Sequence, residues 1–297
     1  MKITIFGTRG SYPVCIPDIL EYGGNTTCIF VEEKDEHIII DGGSGIVNLG
    51  RHIINNQDKY PKNLRIVVTH THWDHVLGFP FFSPFYKVDY SINIYGADSE
   101  TMNVKDVFSK QHHPHNFPIP FESLKAKISF NTLDGDDTIL LNHLKIKTYQ
   151  LNHPGKDLGY RFESESGTFV FLTDLAPIEN NYLGIGWNEQ AKADPKSFEK
   201  KYYEGLVKFI DGANLIMHDT NFTEEEIKNK RHWGHSTPDD AIKLAFRINI
   251  PPTVILSHHD PFHTDKDMDN IYQYSKDLGK KMGVDILVAK EGGEFTL

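Results

Sequence analysis

Short apolar runs rich in β-branched residues recur along the chain between turn residues, and they predict β-strands. The predicted strands cover residues 2–6, 25–32, 37–40, 64–68, 91–95, 127–130, 144–151, 159–162, 168–172, 213–217, 253–256 and 284–289. Helical spacing of apolar residues instead predicts helices over 46–55, 97–110, 239–247 and 265–283, and residues 76–79 are expected to start a short helix. We therefore expect both kinds of element, with strands that repeatedly end in polar loops.

The length and composition are those of a globular protein with a large core. The 297 residues are 39% hydrophobic and 12% aromatic. No repeat or linker interrupts the pattern, so we expect one domain, 1–297, with a helical insert around residues 176–212. The N-terminus enters a strand directly and no apolar run could span a membrane, which predicts a cytoplasmic protein without a membrane partner.

The charge balance narrows the choice of partner. The chain carries 31 basic and 41 acidic residues, a net charge of −10, which argues against strong non-specific binding of nucleic acid. The two cysteines, Cys15 and Cys28, do not make a disulfide framework and are expected to pack as small apolar groups.

Four metal-ligand side chains lie within six positions after the predicted strand 64–68. His70 and His72 are two residues apart, so an extended backbone directs both to the same side. Asp74 and His75 follow at a turn and can point to a second place nearby. Imidazole and carboxylate together suit zinc or manganese, and the two pairs of ligands predict two metal ions.

The segment His70-Thr71-His72-Trp73-Asp74-His75 resembles the HxHxDH signature of the metallo-β-lactamase superfamily. The resemblance implies an α+β fold, a four-layered αββα sandwich with a dimetal site between the upper ends of two sheets. Further polar residues leave predicted strands at His153, Asp174 and His258. They match the remaining ligand motifs of that superfamily, with His259 as the alternative to His258.

The resemblance thus implies a complete ligand set for two divalent cations, with zinc favoured and manganese as the alternative. The first set is His70, His72 and His153; the second is Asp74, His75 and His258; Asp174 bridges them. Asp74 is also expected to take part in catalysis. Asp41, at a Gly-rich turn after strand 37–40, is expected to support the metal loop from behind, and the Trp73 indole to pack under that loop.

Two further stretches resemble the phosphodiesterase branch of the superfamily, which includes the tRNA 3′-processing endonucleases. The first is the Gly-rich opening 7–11, where Arg9 and Ser11 are candidate substrate contacts. The second is Gly234-His235-Ser236-Thr237, before a helix with an N-cap pattern. His235 is expected to bind substrate and protonate the leaving group, oriented by Asp219; the endonucleases usually have Glu at the latter position.

The loop 111–120 contains three histidines and three prolines. The prolines exclude regular structure, and a lid or a dimer contact near the active-site mouth is favoured over a ligand role.

Together these patterns predict a metal-dependent hydrolase that cleaves a small phosphodiester, with a cyclic nucleotide favoured, by attack of a water held between two cations. The alternatives are a tRNA 3′-endonuclease and another dimetal hydrolase such as a lactonase or thioesterase. The acidic balance, and the lack of a match to the endonucleases' Gly- and Pro-rich arm, argue against a nucleic-acid partner. The resemblance also implies a homodimer.

Overall fold

Two seven-stranded sheets form the centre of the protein. The computed structural model describes residues 1–99, 101–179 and 181–297. The strands are β1 Lys2–Gly7, β2 Cys28–Glu33, β3 Glu36–Ile40, β4 Asn63–Val68, β5 Ser91–Gly96, β6 Lys127–Thr132, β7 Thr138–Leu140, β8 Lys145–Leu151, β9 Asp157–Ser164, β10 Gly167–Leu172, β11 Leu215–Asp219, β12 Thr253–Ser257, β13 Ile286–Val288 and β14 Glu294–Thr296. The strand order is β14-β1-β2-β3-β4-β5-β6 in one sheet and β13-β12-β11-β10-β9-β8-β7 in the other.

The helices lie outside the sheets. The α-helices are α1 Gly45–Asn55, α2 Trp73–Val76, α3 Val104–Gln111, α4 Trp187–Ala191, α5 Pro195–Ile210, α6 Pro238–Ala245 and α7 Asp265–Met282. Short 3₁₀ turns cover Pro17–Ile19, Phe79–Phe81, Ser83–Tyr86, Phe121–Ser123, Glu226–Asn229 and Arg231–Trp233. No helix in the described part of the chain combines the length and apolar character that crossing a membrane requires.

The layers follow from which faces are apolar. Alternating residues of both sheets, such as Ile38 of β3 and Phe171 of β10, point inward and form one buried cluster between the sheets. The opposite face of the first sheet packs against α1 and α3, and that of the second against α5, α6 and α7. The predicted αββα sandwich is confirmed.

Most predicted elements are present, but two helix predictions were wrong. The helix predicted over 97–110 begins at Val104, because the Asn103 side chain accepts a hydrogen bond from the Asp106 N–H at 2.9 Å and caps the helix there. The short helix predicted to start at 76–79 instead begins at Trp73, ends at Val76 and so contains Asp74 and His75. Residue 100 of the predicted helix and residue 180 of the predicted insert lie outside the described residues.

Strand polarity brings the polar loops to one edge. β10, β11 and β12 run parallel, with Leu172 beside His218 and Asp219 beside Ser257. Their carboxyl ends therefore lie next to one another: Asp219 ends β11, and Asp174 and His258 follow β10 and β12. In the other sheet β3 and β4 are also parallel, with Ile40 beside Val67, and lead into Asp41 and His70.

Candidate dimetal centre

The seven predicted ligands meet at this edge in two groups that share Asp174. In the first group, Nε2 of His153 lies 2.9 Å from Nδ1 of His72. Oδ2 of Asp174 lies 3.5 Å from Nε2 of His70 and 3.6 Å from Nε2 of His153. Three imidazole nitrogens and one carboxylate oxygen thus converge, as a tetrahedral cation requires.

The second group gathers around the other oxygen of the same carboxylate. Oδ1 of Asp174 lies 3.0 Å from Nε2 of His258 and 3.4 Å from Nε2 of His75. Oδ2 of Asp74 lies 3.2 Å and 3.3 Å from the same two nitrogens. Asp174 therefore directs one oxygen to each group, which is the geometry of a bridging ligand.

The donor set fits two divalent cations. Nε2 of His70 and Nε2 of His75 are buried, and neither has a hydrogen-bond partner among the described residues. An unpaired buried nitrogen costs free energy unless something else meets it. Ligand atoms of a tetrahedral zinc site lie about 3.4 Å apart, close to the spacings here. The His and Asp clusters thus suit a dimetal site, whichever metal occupies it.

Contacts behind the ligands fix which imidazole nitrogen faces each group. Nδ1 of His75 lies 2.8 Å from Oδ2 of Asp41, whose Oδ1 accepts the Thr69 N–H. Nδ1 of His153 donates to the Gly234 carbonyl at 2.9 Å. In both rings Nδ1 carries the proton, so the lone pair of Nε2 is available to a cation. The predicted support of the metal loop by Asp41 is confirmed.

The backbone is unusual where the ligands leave their strands. Asp41, Asp174 and His258 have positive φ values of 60°, 55° and 59°. Such conformations are costly for residues with a side chain and persist where the surroundings hold them. Gly234, at φ 93°, is needed for a close approach, because an added Cβ there would overlap the His153 ring.

Without cations, burial and the crowded carboxylates shift the titrating groups strongly. Burial lowers the pKa of His153 to about 4. Burial also disfavours charge on His258, but Asp174, Asp219 and Asp74 outweigh it and raise its pKa to about 10. A cation at His258 would replace that proton, because imidazole binds metals in its neutral form.

His235 and Asp219 form a pair beside the second group. Nδ1 of His235 lies 3.0 Å from Oδ2 of Asp219, and its ring stacks on His258 with centroids 5.2 Å apart. Burial would raise the pKa of Asp219, but His235 and His258 lower it to about 2. Burial would lower the pKa of His235, but the Asp219 carboxylate outweighs it and raises that pKa.

Comparison with known proteins gives the family. The beta-lactamase superfamily domain matches residues 37–259, about three quarters of the chain. The chain belongs to the beta-lactamase superfamily. Its described residues carry the His and Asp clusters at the sheet edge, so this superfamily member has the side chains of a metal-dependent hydrolase.

Relatives and solved structures agree with this placement. Ribonuclease Z of Prochlorococcus marinus (strain MIT 9515) is 23% identical over 90% of this chain and 91% of its own length. The metallo-beta-lactamase fold protein YhfI from Bacillus subtilis has a TM-score of 0.70 at 17% identity, covering 99% of this chain and 98% of that chain. Unliganded yeast PDE1 has a TM-score of 0.66 at 15% identity, covering 100% and 99%. At these identities the structural likeness shows the shared fold.

Arg9 is not placed to meet a phosphate, contrary to the expectation from sequence. Its side chain is wholly buried. Nε donates to the Gly23 carbonyl at 2.8 Å, and Nη1 donates to the carbonyls of Asp260 and His263. The guanidinium therefore connects three loops through main-chain carbonyls. Ser11 does reach the site, since its main-chain N–H donates to Oδ2 of Asp74 at 2.7 Å.

Trp73 does not pack under the metal loop, and that prediction was wrong. Its side chain is 62% exposed, because residue 73 opens helix α2 on the side facing away from the core.

His259, the alternative ligand, points away from both groups and has Nε2 3.0 Å from the Ala289 carbonyl. The structure thus brings His258, and not His259, to the cluster.

The His- and Pro-rich loop 111–120 contributes no ligand to the clusters found among the described residues. His112 is buried with Nδ1 2.9 Å from the Ile119 carbonyl. Gln111 donates to the carbonyl of Val76 in α2 at 2.9 Å, so the loop adjoins the helix that carries Asp74 and His75.

Sequence reasoning missed Asp157. This residue opens β9, is wholly buried, and has Oδ1 3.5 Å from Nδ1 of His70. Both carboxylate oxygens are buried without a hydrogen-bond partner among the described residues. The predicted strand began two residues later, which left Asp157 in a turn. A carboxylate at the start of an apolar strand was the available signal.

Proposed function

We propose that this chain is a dimetal phosphodiesterase. The seven residues His70, His72, Asp74, His75, His153, Asp174 and His258 would hold the cations, and His235 would act on the leaving group. The observation that carries the proposal is the His235–Asp219 pair at 3.0 Å, stacked on ligand His258. A dimetal site needs only its ligands to activate water, whereas expulsion of an alkoxide from phosphorus also needs a proton.

The roles follow from the contacts of each side chain. Two bound cations would supply an activated water and neutralise charge on the phosphoryl oxygens. His235 directs Nδ1 to Asp219, so Nε2 is the nitrogen left to protonate the departing oxygen or to hold a non-bridging one. Asp219 also accepts the main-chain N–H groups of Leu175 and Asn221, which fixes its carboxylate and so orients the ring.

For the substrate we favour a small phosphodiester, with a 3′,5′-cyclic nucleotide first. The net charge of −10 supports this choice over a long nucleic acid held by its backbone. A tRNA 3′-endonuclease activity is the second candidate, because the curated relatives carry the name ribonuclease Z. Those names weaken the earlier argument against a nucleic-acid partner.

A hydrolysis panel tests the proposal. The substrates are bis-p-nitrophenyl phosphate, 3′,5′-cyclic nucleotides, a precursor tRNA and a lactone, with the metal-replete protein and a His70→Ala control. We expect turnover of phosphodiesters that is lost in the control, because a missing ligand misplaces the reacting water. Turnover of the lactone alone would overturn the proposal, and cleavage of precursor tRNA alone would select the second candidate.

We further propose that residues 1–297 act as one domain, which the apolar cluster shared by both sheets supports. The homodimer stays a prediction, which light scattering of the purified protein would check.

A further inference from the structure

Four exposed aromatic side chains belong to segments that carry or adjoin the candidate ligands of the dimetal centre. Their exposed fractions are 45% for Tyr12, 62% for Trp73, 52% for Trp233 and 80% for Phe262, and we call them the aromatic rim. Exposing large aromatic side chains to water is unfavourable. A group of them at the surface therefore commonly marks a binding site.

Two members of the rim adjoin the second ligand group. Trp73 lies between His72 and Asp74 in the sequence, and His72 is itself exposed. Tyr12 follows Ser11, whose N–H donates to Asp74 at 2.7 Å.

Phe262 packs against Tyr12 and so extends the part of the rim next to the second ligand group. Its ring meets that of Tyr12 edge to face, with centroids 6.3 Å apart and planes at 84°. It lies four residues beyond the ligand His258. Tyr12 and Phe262 thus form a continuous apolar surface beside the cation site of Asp74 and His258.

Trp233 lies on the other flank, toward the first ligand group. It precedes Gly234, whose carbonyl accepts the Nδ1 proton of His153 at 2.9 Å. Its ring packs at 6.1 Å against Phe222, which in turn lies 5.8 Å from His235. The rim therefore flanks both cation sites, with His235 close to the Trp233 side.

The ammonium group of Lys230 lies beside the aromatic surface near Trp233. Nζ of Lys230 lies 4.1 Å from the centre of the Phe222 ring and 5.4 Å from that of Trp233. An ammonium beside an exposed indole offers a base-stacking face and a phosphate partner together.

We propose that the aromatic rim stacks a nucleobase attached to the scissile phosphodiester, and a second base on the other side of the centre where the substrate carries two. The inference rests on the proposed function and narrows its substrate class to nucleotides or single-stranded oligonucleotides. A phosphate held at the two cations would direct one substituent to each flank of the rim. Stacking is tolerant of sequence, because every base has a π-face. It also supplies affinity without a basic groove, which suits a chain of net charge −10.

Binding tests the inference without any need for turnover. A labelled, non-hydrolysable phosphorothioate pentathymidylate and an abasic pentamer with the same phosphates are titrated against the metal-replete protein, and Kd is read from fluorescence anisotropy. We expect the base-bearing pentamer to bind at least about tenfold more tightly, since each stacked base contributes roughly that factor. Competition by thymidine monophosphate then separates a mononucleotide site from an oligonucleotide site.

Variants locate the effect. Trp233→Ala and Phe262→Ala should each weaken the pentathymidylate about tenfold and leave the abasic pentamer at its wild-type Kd. Phe246→Ala is the matched control, because this exposed aromatic residue lies beyond the far end of α6. Equal affinity for the two pentamers in wild type, or the same Kd in rim and control variants, would overturn the inference. Binding to phosphatidylcholine vesicles but not to the pentathymidylate would overturn it in favour of a lipid surface.

A kinetic measurement separates this inference from the proposed function. The kcat/KM values are compared for the p-nitrophenyl ester of thymidine 5′-phosphate and for methyl p-nitrophenyl phosphate, which has no base. The rim predicts that Trp233→Ala lowers the ratio of the two values about tenfold. If the protein binds in a base-dependent way but hydrolyses neither ester, base stacking at the rim stands and the phosphodiesterase proposal is wrong. If it hydrolyses both esters and Trp233→Ala leaves the ratio unchanged, only the stacking proposal is wrong.

Discussion

His235 is proposed to donate a proton but is not one of the seven candidate metal ligands. Its substitution therefore tests proton donation separately from metal binding. Its Nδ1 lies 3.0 Å from Oδ2 of Asp219. The seven candidate ligands form two complete groups that do not include His235. Its removal should therefore spare the metal content and change only the step in which the leaving oxygen departs.

We predict that His235→Ala lowers kcat about 10²–10⁴-fold for a 3′,5′-cyclic nucleotide, with little change in KM. The loss should be small for a p-nitrophenyl phosphodiester, since p-nitrophenolate leaves without a proton. Asp219→Asn should show a weaker form of the same pattern, because Asp219 acts on the leaving group only through the His235 ring. The measurement is kcat on both substrates, with metal content checked. An equal loss on both would exclude proton donation and leave phosphate binding as the role of His235.

Asp157 gives a second prediction at this scale. Asp157→Ala should weaken metal binding about 10–100-fold, because a carboxylate 3.5 Å from Nδ1 of His70 favours the proton on that nitrogen and leaves Nε2 for a cation. Competition with a chromophoric chelator measures the affinity directly. The matched control is Asp58→Ala, an exposed carboxylate after α1. Wild-type metal affinity in Asp157→Ala would show that the contact is incidental.

Local sequence predicted which side chains cluster at the sheet edge, but it did not predict the surroundings of Arg9 and Trp73. The HxHxDH spacing specifies its side chains within six positions, so no tertiary information was needed for His70 to His75. The environments of Arg9 and Trp73 depend on which loops pack against them. Arg9 is buried by the segments around Gly23 and Asp260, distant in sequence, and nothing in the spacing of residues 7–11 indicated that contact.

At the scale of elements, the N-terminal cap of α6 lies close in sequence to His235, which pairs with Asp219. Thr237 accepts the Asp240 N–H at 3.2 Å, and the Asp240 carboxylate accepts the Thr237 N–H at 3.2 Å. This capping box was visible in the sequence as Thr237 with Asp240 three residues on. The N-cap Thr237 lies two residues after His235, so the box fixes the path of the chain there.

We predict that Thr237→Ala lowers the free energy of unfolding by about 1 kcal/mol and also lowers kcat. Thr264→Ala is the matched control, because Thr264 and Asp267 form the same box at the start of α7, away from His235. Chemical denaturation and steady-state kinetics of the two variants provide the comparison. Equal stability losses with an activity loss only in Thr237→Ala support the account; equal activity losses would mean that the cap acts through global stability alone.

At the scale of the whole molecule, the candidate dimetal centre is built from residues of both sheets. His70, Asp74 and His75 follow β4 of one sheet, while Asp174 and His258 follow β10 and β12 of the other. Without cations the carboxylates of Asp74 and Asp174 share a buried space, where like charges repel. Cations held there should stabilise the packing of the sheets.

We therefore predict that adding zinc or manganese to chelator-treated protein raises its Tm. Free metal at 100 times its Kd should stabilise the folded state by about 2.7 kcal/mol. Differential scanning calorimetry at several metal concentrations measures the shift, and Asp174→Asn should show a smaller one. A Tm that does not depend on metal would mean that the clusters bind no cation.

The most direct test of the account is a titration of chelator-treated protein with zinc or manganese, followed by the turnover of bis-p-nitrophenyl phosphate. The account predicts that turnover rises until two equivalents of metal per chain are bound and is then constant, because Asp174 directs one oxygen to each of two ligand groups. Full turnover at one equivalent, or undiminished turnover in the metal-free protein, would contradict it.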